Sequence, residues 1–138
     1  MPLRGPLDHV DLAVADLRRS IAFYGPVLEY LGFERVAAAP DRGLWALTEE
    51  SGRVFEIEIR PATRAGSHVR GAPGLDHLAF CAASRSDVDG LGKMLLELGA
   101  DVTDPPAEYG YTPGYYAVGF SDPDGHHVEV VYQPAHNP

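Results

Sequence analysis

One four-residue segment occurs twice. Leu7-Asp8-His9-Val10 returns as Leu75-Asp76-His77-Leu78, and the residues after each copy match as well. An apolar stretch leads into a polar start and a helix-like pattern that ends at glycine, Leu31-Gly32-Phe33 in one half and Leu98-Gly99-Ala100 in the other. Near the end of each half a turn opens a strand-like run. These runs are Gly52-Arg53-Val54-Phe55-Glu56-Ile57, closed by Pro61, and Gly125-His126-His127-Val128-Glu129-Val130, closed by Pro134. The spacing from glycine to glutamate to proline is the same in both. A repeat of this length means that one supersecondary unit has been used twice, because such a unit alone leaves a sheet face uncovered.

Hydrophobic periodicity assigns the elements. The first half reads as a strand over 7–14, a helix over about 16–31, and strands over 33–38, 43–48 and 54–60. Leu17, Ile21, Tyr24, Leu28 and Leu31 fall on one helical face with Asp16 as N-cap, and Pro26 is expected to kink or split the helix. The second half reads as a strand over 75–82, a helix over about 86–98 with Val88, Leu91, Leu95 and Leu98 inward, and strands over 101–103, 115–120 and 127–132. Residues 61–74, ending in Gly71, Pro73 and Gly74, form the connector. The expected fold is α+β, two tandem βαβββ modules (about 5–62 and 73–134) making a curved mixed sheet around a cleft. The 138 residues are the length of a single domain, 1–138.

Charge narrows the partners. Eleven Lys and Arg against 20 Asp and Glu give a net charge of −9, which repels a phosphate backbone or an anionic membrane. Cys81 is the sole cysteine, so no intrachain disulfide can form. With neither a leader sequence nor an apolar run of about 18 residues, a cytoplasmic protein is expected.

Strand alternation decides which side chains share a face. With Val10, Leu12 and Val14 against the helix, His9 points the other way; with Leu78 and Phe80 inward, so does His77. Phe55, Ile57 and Ile59 leave Glu56 and Glu58 on the opposite face, and Val128 and Val130 leave His127 and Glu129 there. If the modules pair about a pseudo-twofold axis, His9, Glu56, His77 and Glu129 converge. Two imidazoles and two carboxylates suit nickel, cobalt, manganese, iron(II) or zinc. A histidine alone on such a strand is usually a hydrogen-bonded core residue; its repetition with a matching glutamate favours the metal. Glu58 is the alternative to Glu56, which the glycine and proline spacing favours. His126 and His127 follow the turn-forming Asp122-Pro123-Asp124-Gly125 and are expected at the rim, and His68 and His136 carry no signal.

The segments Leu7-Asp8-His9-Val10, Ser20-Ile21-Ala22-Phe23-Tyr24, Leu31-Gly32-Phe33 and Ser121-Asp122-Pro123-Asp124-Gly125 with Val128-Glu129-Val130 resemble the vicinal oxygen chelate superfamily. That group holds glyoxalase I, extradiol dioxygenases, methylmalonyl-CoA epimerases, fosfomycin resistance enzymes and bleomycin-binding proteins. The resemblance implies metal ligands at His9, His77 and Glu129, with a fourth carboxylate at Glu56, and it implies a homodimer. Scattered Arg60, Arg64 and Arg70 make no basic cluster for glutathione. The stretch Tyr109-Gly110-Tyr111-Thr112-Pro113-Gly114-Tyr115-Tyr116 either lines a pocket mouth or packs for structural reasons.

The leading functional expectation is a glyoxalase-like metal-dependent lyase or isomerase acting on a small molecule with vicinal oxygens. Glu129 or Glu56 would move a proton beside a carbonyl. The alternative is a metal-free protein that binds an antibiotic or another planar cation, favoured by the acidic surface and the tyrosines. An iron(II) extradiol dioxygenase using His9, His77 and Glu129 is a third.

Overall fold

The computed structural model describes residues 2, 4–36 and 41–136. The chain divides into two compact units, 1–65 and 66–138. The first contains β1 (His9–Val14), α1 (Leu17–Tyr30), β2 (Glu34–Arg35), β3 (Gly43–Thr48) and β4 (Val54–Pro61). Its sheet runs β1-β4-β3-β2, with β1 and β4 parallel and the other pairs antiparallel. The second unit contains β5 (His77–Cys81), α2 (Arg85–Glu97), β6 (Asp101–Glu108), β7 (Tyr116–Ser121) and β8 (His127–Tyr132). It repeats the order as β5-β8-β7-β6, again with only the β5–β8 pair parallel. Two four-stranded mixed sheets, each with one helix, are the α+β fold of tandem βαβββ modules.

The local chemistry explains both helices. Asp16 caps α1 by accepting the Arg19 N–H at 3.1 Å, and Ser84 caps α2 by accepting from Asp87 at 3.1 Å. Each helix stops where a glycine turns left-handed, Gly32 at φ +93° and Gly99 at φ +70°. The following N–H groups fold back on the last turn, Phe33 to the Leu28 carbonyl and Ala100 to that of Leu95, each at 2.9 Å. In α1, Tyr24, Val27 and Leu28 cover Trp45, Ile57 and Ile59; in α2, Val88, Leu91 and Leu95 cover Phe120, Val128 and Val130. All of these are buried.

Five expectations need correction. Pro26 does not split α1, which runs unbroken from Leu17 to Tyr30. Its missing N–H removes one intrahelical bond, while the buried residues on either side hold the helix against the sheet. Leu98 is not an inward helical residue: it is the C-cap of α2 and is 40% exposed. The second strand of the second unit, expected over 101–103, continues from Asp101 to Glu108 through Pro105 and Pro106. It lies at the sheet edge and slips register twice, the setting in which a strand tolerates prolines. The fourth is His127, which opens β8 as a buried residue instead of standing at a rim. The strand expected over 33–38 is reduced to Glu34–Arg35, and residues 37 and 38 lie outside the described residues.

Candidate functional site

The Leu-Asp-His repeat has a physical purpose that spacing alone did not disclose. In the first unit Asp8 Oδ1 lies 2.6 Å from His9 Nδ1, and in the second Asp76 Oδ1 lies 2.7 Å from His77 Nδ1. A carboxylate on Nδ1 fixes the ring and its tautomer and leaves Nε2 to bind. Both histidines are exposed, so neither is a core residue. The Asp8 hydrogen bond raises the pKa of His9, with Asp11 and Glu56 adding to it against partial desolvation. The Asp76 carboxyl is held below its ordinary range by its bond to His77 and by Arg70.

Within the first unit, register places His9 directly across from Glu56, and Asp11 across from Glu58. Glu58 is the more buried glutamate, and it is already engaged: Arg42 donates to Oε1 at 2.8 Å and Arg60 to Oε2 at 2.9 Å. Burial pushes its pKa up, but the two arginines outweigh that and leave the carboxyl below its ordinary value. Arg60 also reaches Asp11 at 3.4 Å.

Within the second unit, Glu129 stands across from Ala79, while His77 is paired with His127. The β3–β4 and β7–β8 hairpins match residue for residue, since Thr48 pairs with Val54 as Ser121 pairs with His127, and this counting equates Glu129 with Glu56. Along the parallel pairs, however, Glu129 occupies the position of Glu58. The two units therefore share their hairpins but differ by two residues in how the first strand lies against the last. That shift keeps every side chain on its face.

Here a cavity of about 410 Å³ opens on the sheet, lined among others by His77, Glu129, His127 and Asp104. His77 Nε2 is 3.7 Å from Glu129 Oε2. On the other side of that carboxylate the Tyr115 hydroxyl donates to Oε1. Burial, and then this bond to Glu129, drive the Tyr115 pKa far upward, so the hydroxyl remains a donor. His127, expected at the rim, is instead 4% exposed, edge-on to His77 with ring centroids 5.7 Å apart. The strand begins at His127 itself, so it lies on the Glu129 face, as alternation from Val128 and Val130 requires. Burial lowers its pKa, with Arg70 acting in the same direction. Its Nε2 lies 3.8 Å from Asp104 Oδ2, and its buried Nδ1 has no hydrogen-bond partner.

Tyr109, Tyr111 and Tyr115 line the cavity, as the pocket-mouth expectation held. Tyr116 does not. Its hydroxyl donates to Asp89 of α2 at 2.6 Å and the Arg85 guanidinium lies 4.8 Å over its ring.

Asp122, Asp124 and His126 bring three potential ligand atoms within 4.8 Å of one another. Asp122 is committed to the β7–β8 turn: its Oδ1 accepts the N–H groups of Asp124 and His126, and its Oδ2 lies 2.8 Å from His126 Nδ1. That last bond raises the pKa of His126, against its desolvation. His68, which carries no signal in the sequence, stacks on His126 at 4.5 Å. A raised folded-state value means that the protonated pair contributes its full stability below about pH 6.5. The contribution is lost as pH rises through the raised value. The melting temperature of the chain is thus expected to fall over this interval relative to that of His126→Gln; parallel pH profiles would refute the role of the pair.

The family model of the Glyoxalase/Bleomycin resistance protein/Dioxygenase superfamily matches residues 6–130. The protein YqjT of Bacillus subtilis (strain 168) is 29% identical over 126 residues, covering 91% of this chain and 97% of YqjT. A crystal structure of a candidate glyoxalase from Bacillus halodurans superposes with a TM-score of 0.82 at 30% identity, covering 94% of this chain and 97% of that one. The fosfomycin resistance protein FosX of Listeria monocytogenes, at 19% identity and TM-score 0.69 with 98% of both chains covered, shares the fold.

Proposed function

Because the chain belongs to the glyoxalase/bleomycin resistance protein/dioxygenase superfamily, we propose that it is a divalent-metal-dependent lyase or isomerase acting on a small molecule with vicinal oxygens. The observation that carries the reading is the Asp–His pair in each unit, Asp8 on His9 and Asp76 on His77. Histidines whose Nδ1 is held by a carboxylate and whose Nε2 is left open are built as metal ligands. The donor set fits. His77 Nε2 and Glu129 Oε2 are 3.7 Å apart, too long for a hydrogen bond. Two donors bonded at about 2.1 Å to one ion lie roughly 3–4 Å from each other. The proposed ligands are His9, Glu56, His77 and Glu129, and the nitrogen and oxygen donors suit nickel, cobalt, manganese, iron(II) or zinc.

A bound metal would supply Lewis-acid polarisation of the substrate oxygens. The side chains have their own parts. Glu129 is the proposed base for a proton on the carbon beside a carbonyl, with Glu56 as its counterpart in the first unit. Tyr115 holds one Glu129 oxygen by donation, which leaves Oε2 as the atom that would accept the proton when the carboxylate is displaced from the metal. Asp76 holds the His77 ring in place throughout.

Metal analysis of untagged protein tests the reading. The expected result is about one metal per chain, and a rise in stability of about 4 kcal/mol when free metal is a thousandfold above its dissociation constant. Both should vanish on chelation. A chain that holds no metal and shows no melt shift with any of the five ions would overturn the reading. The tyrosine-lined cavity would then favour a metal-free small-molecule-binding protein.

A further inference from the structure

We infer that the molecule accepted by the second unit carries an aromatic ring, seated against the tyrosines of its cavity, with its oxygens toward His77 and Glu129. The inference deepens the proposed function and rests on it only for the oxygen-binding end.

Three features of the cavity lead there. First, two of its three tyrosines offer rings and not hydroxyls. Tyr109 donates to the Pro105 carbonyl and Tyr115 to Glu129, so both hydroxyls are already used inside the protein. What these side chains present to a ligand is flat apolar surface with an aromatic quadrupole, the partner of another ring. Second, Tyr111 is 77% exposed, yet it stands edge-on to Tyr115 with centroids 5.1 Å apart. Its ring thereby extends the aromatic lining that Tyr115 begins out to the cavity mouth.

Third, Ala117 and Gly119, alternate residues of β7 on the face that carries Glu129, line the cavity with little or no side chain. Asp104 and His127 already close over Gly119, where a Cβ would come within 2.6 Å of Asp104 Oδ2 and 3.1 Å of His127 Cε1. A volume of about 410 Å³ accommodates a monocyclic aromatic compound with a polar head. Among the described lining residues Arg70 is the one cation, and it pairs with Asp76 at 3.3 Å, so the cavity is not built for a multiply charged anion such as a peptide thiol adduct.

Two hydroxamic acids make the test, since they present the same pair of chelating oxygens and differ in phenyl against methyl. Calorimetric titration of the full chain with benzohydroxamate and with acetohydroxamate, in the presence of zinc and after chelation, is expected to give roughly tenfold tighter binding of the phenyl compound. The ratio should fall to within about threefold in Tyr111→Ala, whose exposed side chain leaves folding intact. A wild-type ratio near one, no binding of either compound, or an undiminished ratio in Tyr111→Ala overturns the inference. Failure of the metal reading looks different: the chain then takes up no zinc, whatever the phenyl-to-methyl ratio. A chain that binds zinc with a ratio of one sinks the aromatic inference alone.

Discussion

Glu129→Gln is expected to weaken divalent-metal binding by about a hundredfold or more, while the metal-free protein melts within about 2 °C of wild type. Removing a residue that merely orients a ligand commonly costs ten- to a hundredfold in metal affinity, and the loss of an anionic ligand should exceed that. The fold has little reason to respond. Glu129 lies in the middle of β8, where its backbone pairs with Gly119 and Ala79 irrespective of the side chain. Glutamine keeps the shape, and its carbonyl can still accept from Tyr115. Glu58→Gln should behave in the opposite way, because it weakens the partner of both Arg42 and Arg60. It is expected to lower stability and leave metal affinity unchanged. Calorimetric metal titration alongside thermal melts separates the two outcomes, and wild-type affinity in Glu129→Gln would remove that residue from the ligand set.

Much of this is legible in the residues because the chain repeats. The helices announce themselves through caps and glycine stops, and alternation puts His9, Glu56, His77 and Glu129 on the faces they occupy. What stays hidden depends on register and on segments distant in sequence. Nothing local says that β5 lies two residues nearer the start of β8 than β1 does to the start of β4, since the hydrophobic pattern is satisfied either way. His127 departs from expectation because the Asp-Pro-Asp-Gly turn reads as extending through both histidines. The strand pattern already places it with Glu129, and that is the stronger signal. Asp104 and Arg70 have no local signature. Asp104 reaches the cavity through an irregular edge strand whose prolines argue against a strand at all, and Arg70 comes from the connector. The Asp8 and Asp76 partners lie in plain view inside the repeat, and their purpose needs the ring geometry.

Trp45→Ala should be the most damaging single change to the first unit, costing about 3–5 kcal/mol of a total that for most domains is about 5–15 kcal/mol. The ring is fully buried in the middle of β3, and its cross-strand partner Ile57 is equally buried. The surroundings are shaped to the indole. A Cβ at Gly43 would fall 2.8 Å from its six-membered ring, one at Gly25 would lie 3.8 Å away, and the Arg35 guanidinium covers its face at 4.6 Å. Such a site cannot collapse onto alanine, because two of its walls are backbone of β3 and α1. Trp45→Phe should cost far less, about 1–2 kcal/mol, since the buried indole N–H has no hydrogen-bond partner to lose and the smaller ring forfeits only volume. Gly43→Ala tests the same packing from the opposite side: its methyl must displace the ring, and about 1–3 kcal/mol is expected. Denaturant unfolding followed by circular dichroism would rank the three. A Trp45→Ala loss below about 1 kcal/mol would mean that the indole fills space the helix could close by itself.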